Sequence, residues 1–497
     1  MLNRFKSVVS NVMGGLPAIP HQTEIPEDPN SLQVKFHYNR PDFLFLTSDE
    51  VELTADHISR PILVPRCVNK LPWKAGYAEV INAGKSKSNE DQATAMHFHI
   101  MAHMTETLLN KTDNQVEMTD MANTGGEFDN SLEYTYFAIF DGHAGTGAAL
   151  MASNTLHKHI QERLLEVKDL LLCSNEDKMN DILKKRNMSA NVNLPTKRIT
   201  KDSLVKGALE TAFCDMDEQI ARERTTFRIK GGCTALVALF FGAKLYVANA
   251  GDCRAVIYRG EEIIPMSTDF TPVSERKRIA YLGYLQPELL HNEFTHLEFQ
   301  KRVHRRDIGK KILCRDALMD GWFYKTVEEQ DLKYPLIYGE GKRTRVLATI
   351  GVTRGFGDHD LKVHSSDIHI KPFLSPVPEV QVYDMTSCEH TEDDILVMGS
   401  DGLWDVMTNQ DTGRIVREDL RKFSQNEDSR YTSAAQELVS KARGHLHPKG
   451  RGWRMENDRP SSGDDITAFI IPLSQLNSPS CSINTQNGHI PEKLENG

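Results

Sequence analysis

The chain lacks a surplus of positive charge. Its 59 Lys and Arg stand against 69 Asp and Glu, a formal net charge of -10. That argues against a nucleic-acid binder, whose partner demands a basic face. It lacks any Cys-x-x-Cys pair. Its eight cysteines (67, 173, 214, 233, 253, 314, 388 and 481) are scattered, which argues against structural zinc and a disulfide framework and points to a reducing compartment. No apolar run approaches the ~20 residues of a membrane span. The N-terminus has no continuous apolar core of the kind a secretory leader needs. What remains is ordinary for a globular protein: 497 residues, 39% hydrophobic and 26% charged. That length allows two or three domains, or one large domain with insertions.

The most informative stretch is Phe140-Asp141-Gly142-His143-Ala144-Gly145. The apolar run from Tyr134 to Phe140 reads as a buried strand. It stops on a carboxylate, a glycine and an imidazole, and a helical pattern follows. Such a point suits a hard cation and a proton donor. The alternative is a plain strand-to-helix turn, with Asp as cap and Gly relieving the backbone.

At the N-terminus, Leu2, Phe5, Val8, Val9, Val12, Met13 and Leu16 share one helical stripe, with Arg4 and Lys6 off it. Residues 1–16 can lie in a lipid headgroup layer or dock on the protein's own core. Residues 17–33, with four prolines, read as a linker. Gly76 to Ile81 reads as a strand, followed by a polar glycine loop and Asn89-Glu90-Asp91. Glu90 and Asp91 point to opposite faces if extended, so at most one is a direct ligand; a solvated loop is the alternative. Residues 103–133 and 174–200 are polar insertions. Helices are expected at about Thr146 to Leu172, Ser203 to Glu223 and Thr432 to Gly444.

The runs Thr234 to Phe241, Lys244 to Ala250 and Arg254 to Tyr258 are joined by Gly242-Ala243 and Gly251-Asp252-Cys253. They predict a three-stranded antiparallel meander. Asp252 is then a strand-end carboxylate or an ordinary turn aspartate. Residues 280–344 are rich in Arg, Lys, His and aromatics and read as an inserted subdomain. The run Arg345 to Gly357 ends at Asp358. Ile395 to Met398 ends at Ser400-Asp401-Gly402, and Gly463-Asp464-Asp465 precedes the strand Ile466 to Ile471. The tail from Ser474 reads as disordered.

Five strand ends thus carry acids: Glu90-Asp91, Asp141, Asp252, Asp401 and Asp464-Asp465. A carboxylate cluster without Cys or His partners prefers magnesium or manganese to zinc. Without a cation its charges would repel strongly.

The ordered motifs resemble the metal-dependent (type 2C) serine/threonine protein phosphatases. They are Asn-Glu-Asp at 89–91, Phe-Asp-Gly-His-Ala-Gly at 140–145, Gly-Gly-Cys-Thr-Ala at 231–235 and Val-Ala-Asn-Ala-Gly-Asp-Cys-Arg-Ala at 247–255. Thr-Arg-Gly-Phe-Gly-Asp at 353–358, Ser-Asp-Gly-Leu-Trp-Asp-Val at 400–406 and Asp-Asp-Ile-Thr at 464–467 follow. Gly-Tyr-Ala-Glu-Val-Ile-Asn-Ala-Gly-Lys-Ser at 76–86 and the long insertion before Arg345 resemble the H/J/M subgroup, with its H member nearest.

The resemblance implies an α+β fold, a central antiparallel β-sandwich flanked by helices in four α-β-β-α layers. It implies a phosphatase domain over residues 34–473, with the insertion at 280–344 as the family's flap. Asp141 would bridge two metal ions, Mg2+ or Mn2+. Asp401 and Asp464 would complete one site, Glu90 and the Gly142 carbonyl the other. Asp252 would share a third ion with Asp401, Asp91 would orient the attacking water, and His143 would be the general acid. The family commonly has an arginine four residues before the metal-binding Glu; here Ser86 stands there, and Lys85 beside it would grip the phosphate. The usual Asn after the last metal Asp is Asp465.

Phosphoprotein substrates follow, and Rab-type small GTPases are the substrate class of this subgroup. A peripheral membrane contact through residues 1–16, a homodimer, and a cytoplasmic location extending to the Golgi, other internal membranes or the nucleus complete the expectation; no nucleic acid is expected. The alternative is a pseudophosphatase scaffold. Such relatives lose metal carboxylates, and this chain keeps them all.

Overall fold

The structure is a computed structural model that describes residues 34–100, 132–173, 177–180, 199–364, 366–447 and 452–477. The amphipathic segment 1–16, the linker 17–33 and the tail beyond 477 lie outside the described residues. So do most of the polar insertions at 103–133 and 174–200.

The strands run in order β1 (Gly76–Val80), β2 (Gln92–Ile100), β3 (Leu132–Phe140), β4 (Gly142–His143), β5 (Gly232–Cys233), β6 (Ala235–Phe241), β7 (Lys244–Ala250), β8 (Arg254–Arg259) and β9 (Glu262–Pro265). They continue with β10 (Phe356–Gly357), β11 (Glu379–Asp384), β12 (Ile395–Gly399) and β13 (Ile466–Pro472). The main helices are α1 (Gly147–Glu166), α2 (Lys201–Glu223), α3 (Arg276–Leu285), α4 (Asn409–Leu420) and α5 (Arg430–Arg443). Two five-stranded antiparallel sheets form, in the orders β1-β13-β12-β8-β9 and β11-β7-β6-β3-β2.

The apolar runs are continuous because both faces of each sheet are covered. In β3, Phe137 and Ile139 pack between the sheets against Ile257, Met398 and Phe469. Its alternate residues Tyr134, Tyr136, Ala138 and Phe140 pack outward against Leu156, Ile160 and Phe213 of α1 and α2. On the other outer face, Ala78, Val397 and Ile470 meet Ala434 and Leu438 of α5. The result is the expected four-layer α-β-β-α sandwich. Among the described residues no helix is long and apolar enough to cross a membrane.

Three expectations are corrected. The run 234–258 is not a meander. β6 and β7 pair, but β8 pairs with β12 and β9 in the opposite sheet. Gly251-Asp252-Cys253 therefore carries the chain across the sandwich, with Gly251 at φ 141° and its α-carbon against Thr234. The inserted subdomain is longer than residues 280–344. It starts with α3, and its own core runs from Ile279 through Phe294 and Leu336 to Phe373 and Leu374. The chain also continues past Ser474 as a 3-10 turn, Ser474–Asn477, where disorder was expected.

One buried ion pair braces the site from behind. Arg40 and Glu79 side chains are 0% exposed, with Nε–Oε1 2.6 Å and Nη2–Oε2 2.7 Å. Arg40 also donates to the carbonyls of Asn89 and Asp91, at 3.2 and 2.8 Å. Arg40→Met leaves Glu79 charged and unpaired in the core and frees the 89–91 loop. Such a change is expected to cost about 3–5 kcal/mol, read as a lowered denaturation midpoint. A midpoint equal to the wild type's would show that the pair does not brace the fold.

Candidate active site

The acidic strand ends converge because glycines follow two of the aspartates. A Cβ on Gly142 would sit 2.3 Å from the Glu90 carbonyl oxygen, and one on Gly402 would sit 1.9 Å from the Asp465 carbonyl oxygen. The two Asp-Gly turns thus let the 90–91 and 464–465 segments close on them. Only a residue without a side chain permits that approach.

Carboxylate oxygens of Asp141, Asp252 and Asp401 lie within 4.8 Å of one another. Each like-charged pair at that spacing costs about 3–4 kcal/mol at an effective dielectric near 20. Asp141 is held well above the usual carboxylate range by burial, then by the charges of Asp401, Asp91, Asp252 and Asp464. Burial and then Asp401 raise Asp252 in the same way. Asp401 is pushed up to about 7 by burial and by Asp464 and Asp405, with Lys85 pulling the other way. These are all-oxygen, partly buried and mutually repelling donors. That is the donor set a hard divalent cation satisfies, so the residues fit the ions the resemblance implies.

Glu90 and Asp464 stand beside this trio but outside it. Oε1 of Glu90 accepts from the Gly145 N–H at 2.7 Å, just ahead of α1. The Asp464 carboxylate pairs with the Lys85 ammonium. Burial lowers the Lys85 pKa, yet Asp464, Asp401 and Asp141 outweigh it and leave the group raised. Lys85 thus stays charged at the mouth of the acidic cleft. Asp91 is buried, and its Oδ2 accepts from the Thr467 hydroxyl at 2.8 Å.

Asp465 takes a bracing position. Its carboxylate accepts from the N–H of Asn82 at 2.7 Å and of Glu90 at 3.0 Å, fixing the loop that carries Glu90. Ser86 holds the same loop, donating from Oγ to the Ser88 carbonyl at 2.6 Å.

His143 meets a partner that sequence reasoning quoted but gave no role. Its Nε2 lies 2.7 Å from Oδ2 of Asp358, whose side chain is 5% exposed against 34% for His143. Partial burial lowers the imidazole pKa. The Asp358 bond and charge, with Glu90 and Asp401, more than reverse this and leave it raised. A small sheet sets the geometry. β5 lies between β10 and β4, with Gly232 opposite both Gly357 and His143. The Asp358 carboxylate reaches His143 through the space that a Gly232 side chain would fill. The sequence did hold a signal for Asp358, since it follows Phe356-Gly357 as Asp141 follows Phe140.

Arg60 was also missed. It is buried, and its guanidinium donates to the carbonyls of Ile81, Ser462 and Asp464 at 2.7, 2.8 and 2.9 Å. It therefore fixes the backbone on which Asp464 sits. No local pattern marks it, because its partners lie 21, 402 and 404 positions away.

The protein phosphatase 2C family profile matches residues 104–287 and 337–445. The chain is 49% identical to protein phosphatase 1H of Xenopus tropicalis, over 96% of this chain and 99% of that one. It is 48% identical to the Homo sapiens 1H protein, over 95% and 99%. It is 46% identical to protein phosphatase 1J of Rattus norvegicus, over 92% and 90%. A cleft of converging carboxylates beside a histidine, reached by motifs in that order, is what this likeness accounts for: the chain belongs to the protein phosphatase 2C family of metal-dependent serine/threonine phosphatases.

Proposed function

We propose that this phosphatase uses Mg2+ or Mn2+ held by Asp141, Asp252, Asp401, Asp464, Glu90 and the Gly142 carbonyl, with His143 as general acid. The observation that carries this reading is the meeting of the Asp141, Asp252 and Asp401 oxygens within 4.8 Å at one end of the sandwich. When bound, two divalent ions supply charge neutralisation and an activated water for in-line attack on phosphorus. The chain's residues do the rest. Asp91 orients the attacking water. Lys85, at the cleft mouth, offers the phosphate a point charge rather than an arginine's fork. The serine or threonine alkoxide leaves poorly, so the protonated His143 donates to it. The Asp358 bond occupies Nε2, and Nδ1 is then the donating nitrogen.

The substrates we propose are phosphorylated Rab-type small GTPases. The inserted subdomain supports this with exposed Tyr281, Tyr284, Trp322 and Tyr324. Lys342 of the subdomain bonds Asp405, beside the short helix that opens with Asp401. A cytoplasmic protein touching internal membranes through residues 1–16, with homodimers, completes this reading. Against it stands the pseudophosphatase scaffold, for which no carboxylate of the set has been lost.

The test is a comparison of kcat/KM on a phosphorylated Rab-type GTPase and on an unrelated phosphoserine peptide, with manganese. The GTPase is expected to be preferred, and Tyr324→Ala with Trp322→Ala to remove the preference while sparing the peptide. Equal rates on both substrates would discard the substrate assignment. Lys85→Ala is expected to raise KM with kcat retained; an unchanged KM would remove Lys85 from phosphate binding. Flotation with vesicles, comparing the full chain with one lacking residues 1–16, checks the membrane contact; equal binding would exclude it.

A further inference from the structure

We infer that Asp217 and Lys371 are positioning residues for proton donation, acting through Gly357 and Asp358 on His143; this rests on the reading of His143 as general acid. Neither residue touches the carboxylate cleft. Between them they grip the two peptide units that flank Gly357, the residue before Asp358. Oδ1 of Asp217, on α2, accepts from the Gly357 N–H at 2.9 Å. The Lys371 ammonium donates to the Gly357 carbonyl at 2.8 Å and to the same Asp217 oxygen at 2.7 Å. His359 Nε2 stands 3.1 Å from that oxygen too. One carboxylate and one ammonium thus hold the donor and the acceptor of a single glycine.

The backbone explains why a clamp is placed there. Gly357 has φ 84° and Asp358 has φ 57°. Two consecutive left-handed residues, the second of them not glycine, form a reversal the chain does not hold unaided. It must be held, because Asp358 projects from it across Gly232 to a 2.7 Å contact with His143. The Asp358 N–H is bound to the Gly231 carbonyl at 3.0 Å, which sets height but not twist. Asp217 and Lys371 set the twist of the peptides on either side of Gly357, and so the direction of the Asp358 carboxylate. Their side chains are only 9% and 17% exposed. A pair so far from water is a poor source of net stability, since desolvation offsets its attraction. Its geometric use is the better account of its presence.

General acid catalysis depends on where the donor points, and a small misplacement is costly. Loss of the clamp should therefore harm only those substrates whose leaving group needs a proton. p-Nitrophenyl phosphate releases a stable phenolate. A phosphoserine peptide releases an alkoxide that must be protonated.

The experiment measures kcat and KM of the manganese-loaded full chain on both substrates. The variants are Lys371→Met, Asp217→Asn, the conservative Lys371→Arg, and His143→Ala as reference. Lys371→Met and Asp217→Asn are expected to lower kcat on the peptide about 10-fold or more, with p-nitrophenyl phosphate within about twofold and both KM values retained. Lys371→Arg is expected to restore most of the peptide rate. Equal losses on the two substrates, or no loss on either, overturn the inference, as a purely structural ion pair would behave so. If His143→Ala itself loses both substrates equally, the general-acid reading falls and this inference with it. If His143→Ala discriminates and the clamp variants do not, only the clamp is refuted.

Discussion

Asp141→Asn is expected to lower manganese-dependent turnover of a phosphoserine peptide about 10³-fold or more, while the metal-free chain melts higher than the wild type. The two effects share one cause. Asp141 sits with Asp252 and Asp401 in a single anionic knot. Burial and those neighbours hold its carboxyl well above the normal range. A raised carboxylate pKa means that the folded, metal-free chain disfavours the charge. The charge therefore subtracts from stability at neutral pH. A neutral amide of the same shape removes that cost and keeps an oxygen near the Asp401 N–H, which now lies 3.3 Å from Asp141 Oδ2. The proposed metal site would lose a carboxylate, and the turnover that depends on it would fall. Manganese should accordingly raise the melting temperature of the wild type and do little for the variant. A variant that keeps its rate, or a metal-free variant that melts lower, would mean that Asp141 is a turn residue.

The carboxylate set was legible because Asp141 and Asp401 end apolar runs and the other acids stand next to one. A strand covered on both faces reads as continuous hydrophobic sequence, so its stop is sharp. The acid that follows stands out, as at Phe140-Asp141 and Gly399-Ser400-Asp401. What stayed hidden depends on contacts between distant segments. Gly251-Asp252-Cys253 has the chemistry of a hairpin turn. Nothing local tells a hairpin from a crossing between sheets, because the deciding partner of β8 is β12, well over a hundred residues later. Arg60, Asp217 and Lys371 were invisible for the same reason: their work is to hold backbone groups of other segments. α4 is a different kind of omission. Its cap, with Thr408 accepting from the Asp411 N–H at 3.0 Å, and its buried stripe of Ile415, Val416 and Leu420 obey local rules that could have been read.

Gly232→Ala should be strongly damaging on a phosphoserine substrate, though it adds one methyl group and removes nothing. The new Cβ would lie 2.2 Å from Asp358 Oδ2 and 2.8 Å from His143 Nε2, in the middle of their contact. Both atoms are ends of side chains, so they can move, and the movement is what breaks the pair. The backbone itself would accept alanine. Gly232 is not among the left-handed residues, whereas its neighbour Gly231, at φ 75°, is. Folding and metal-dependent melting should therefore stay close to wild type. Turnover of a phosphoserine peptide should fall about 10²-fold, within the range general acid catalysis supplies, and p-nitrophenyl phosphate should be spared. Gly207→Ala is the control. It lies in α2 with nothing within 4 Å of the added carbon. Alanine there should leave the rate alone and add up to ~1 kcal/mol of stability. A Gly232→Ala enzyme that processes the peptide at the wild-type rate would show that the approach of Asp358 to His143 is not needed for the reaction. His143 would then have to be oriented by the β4 backbone alone.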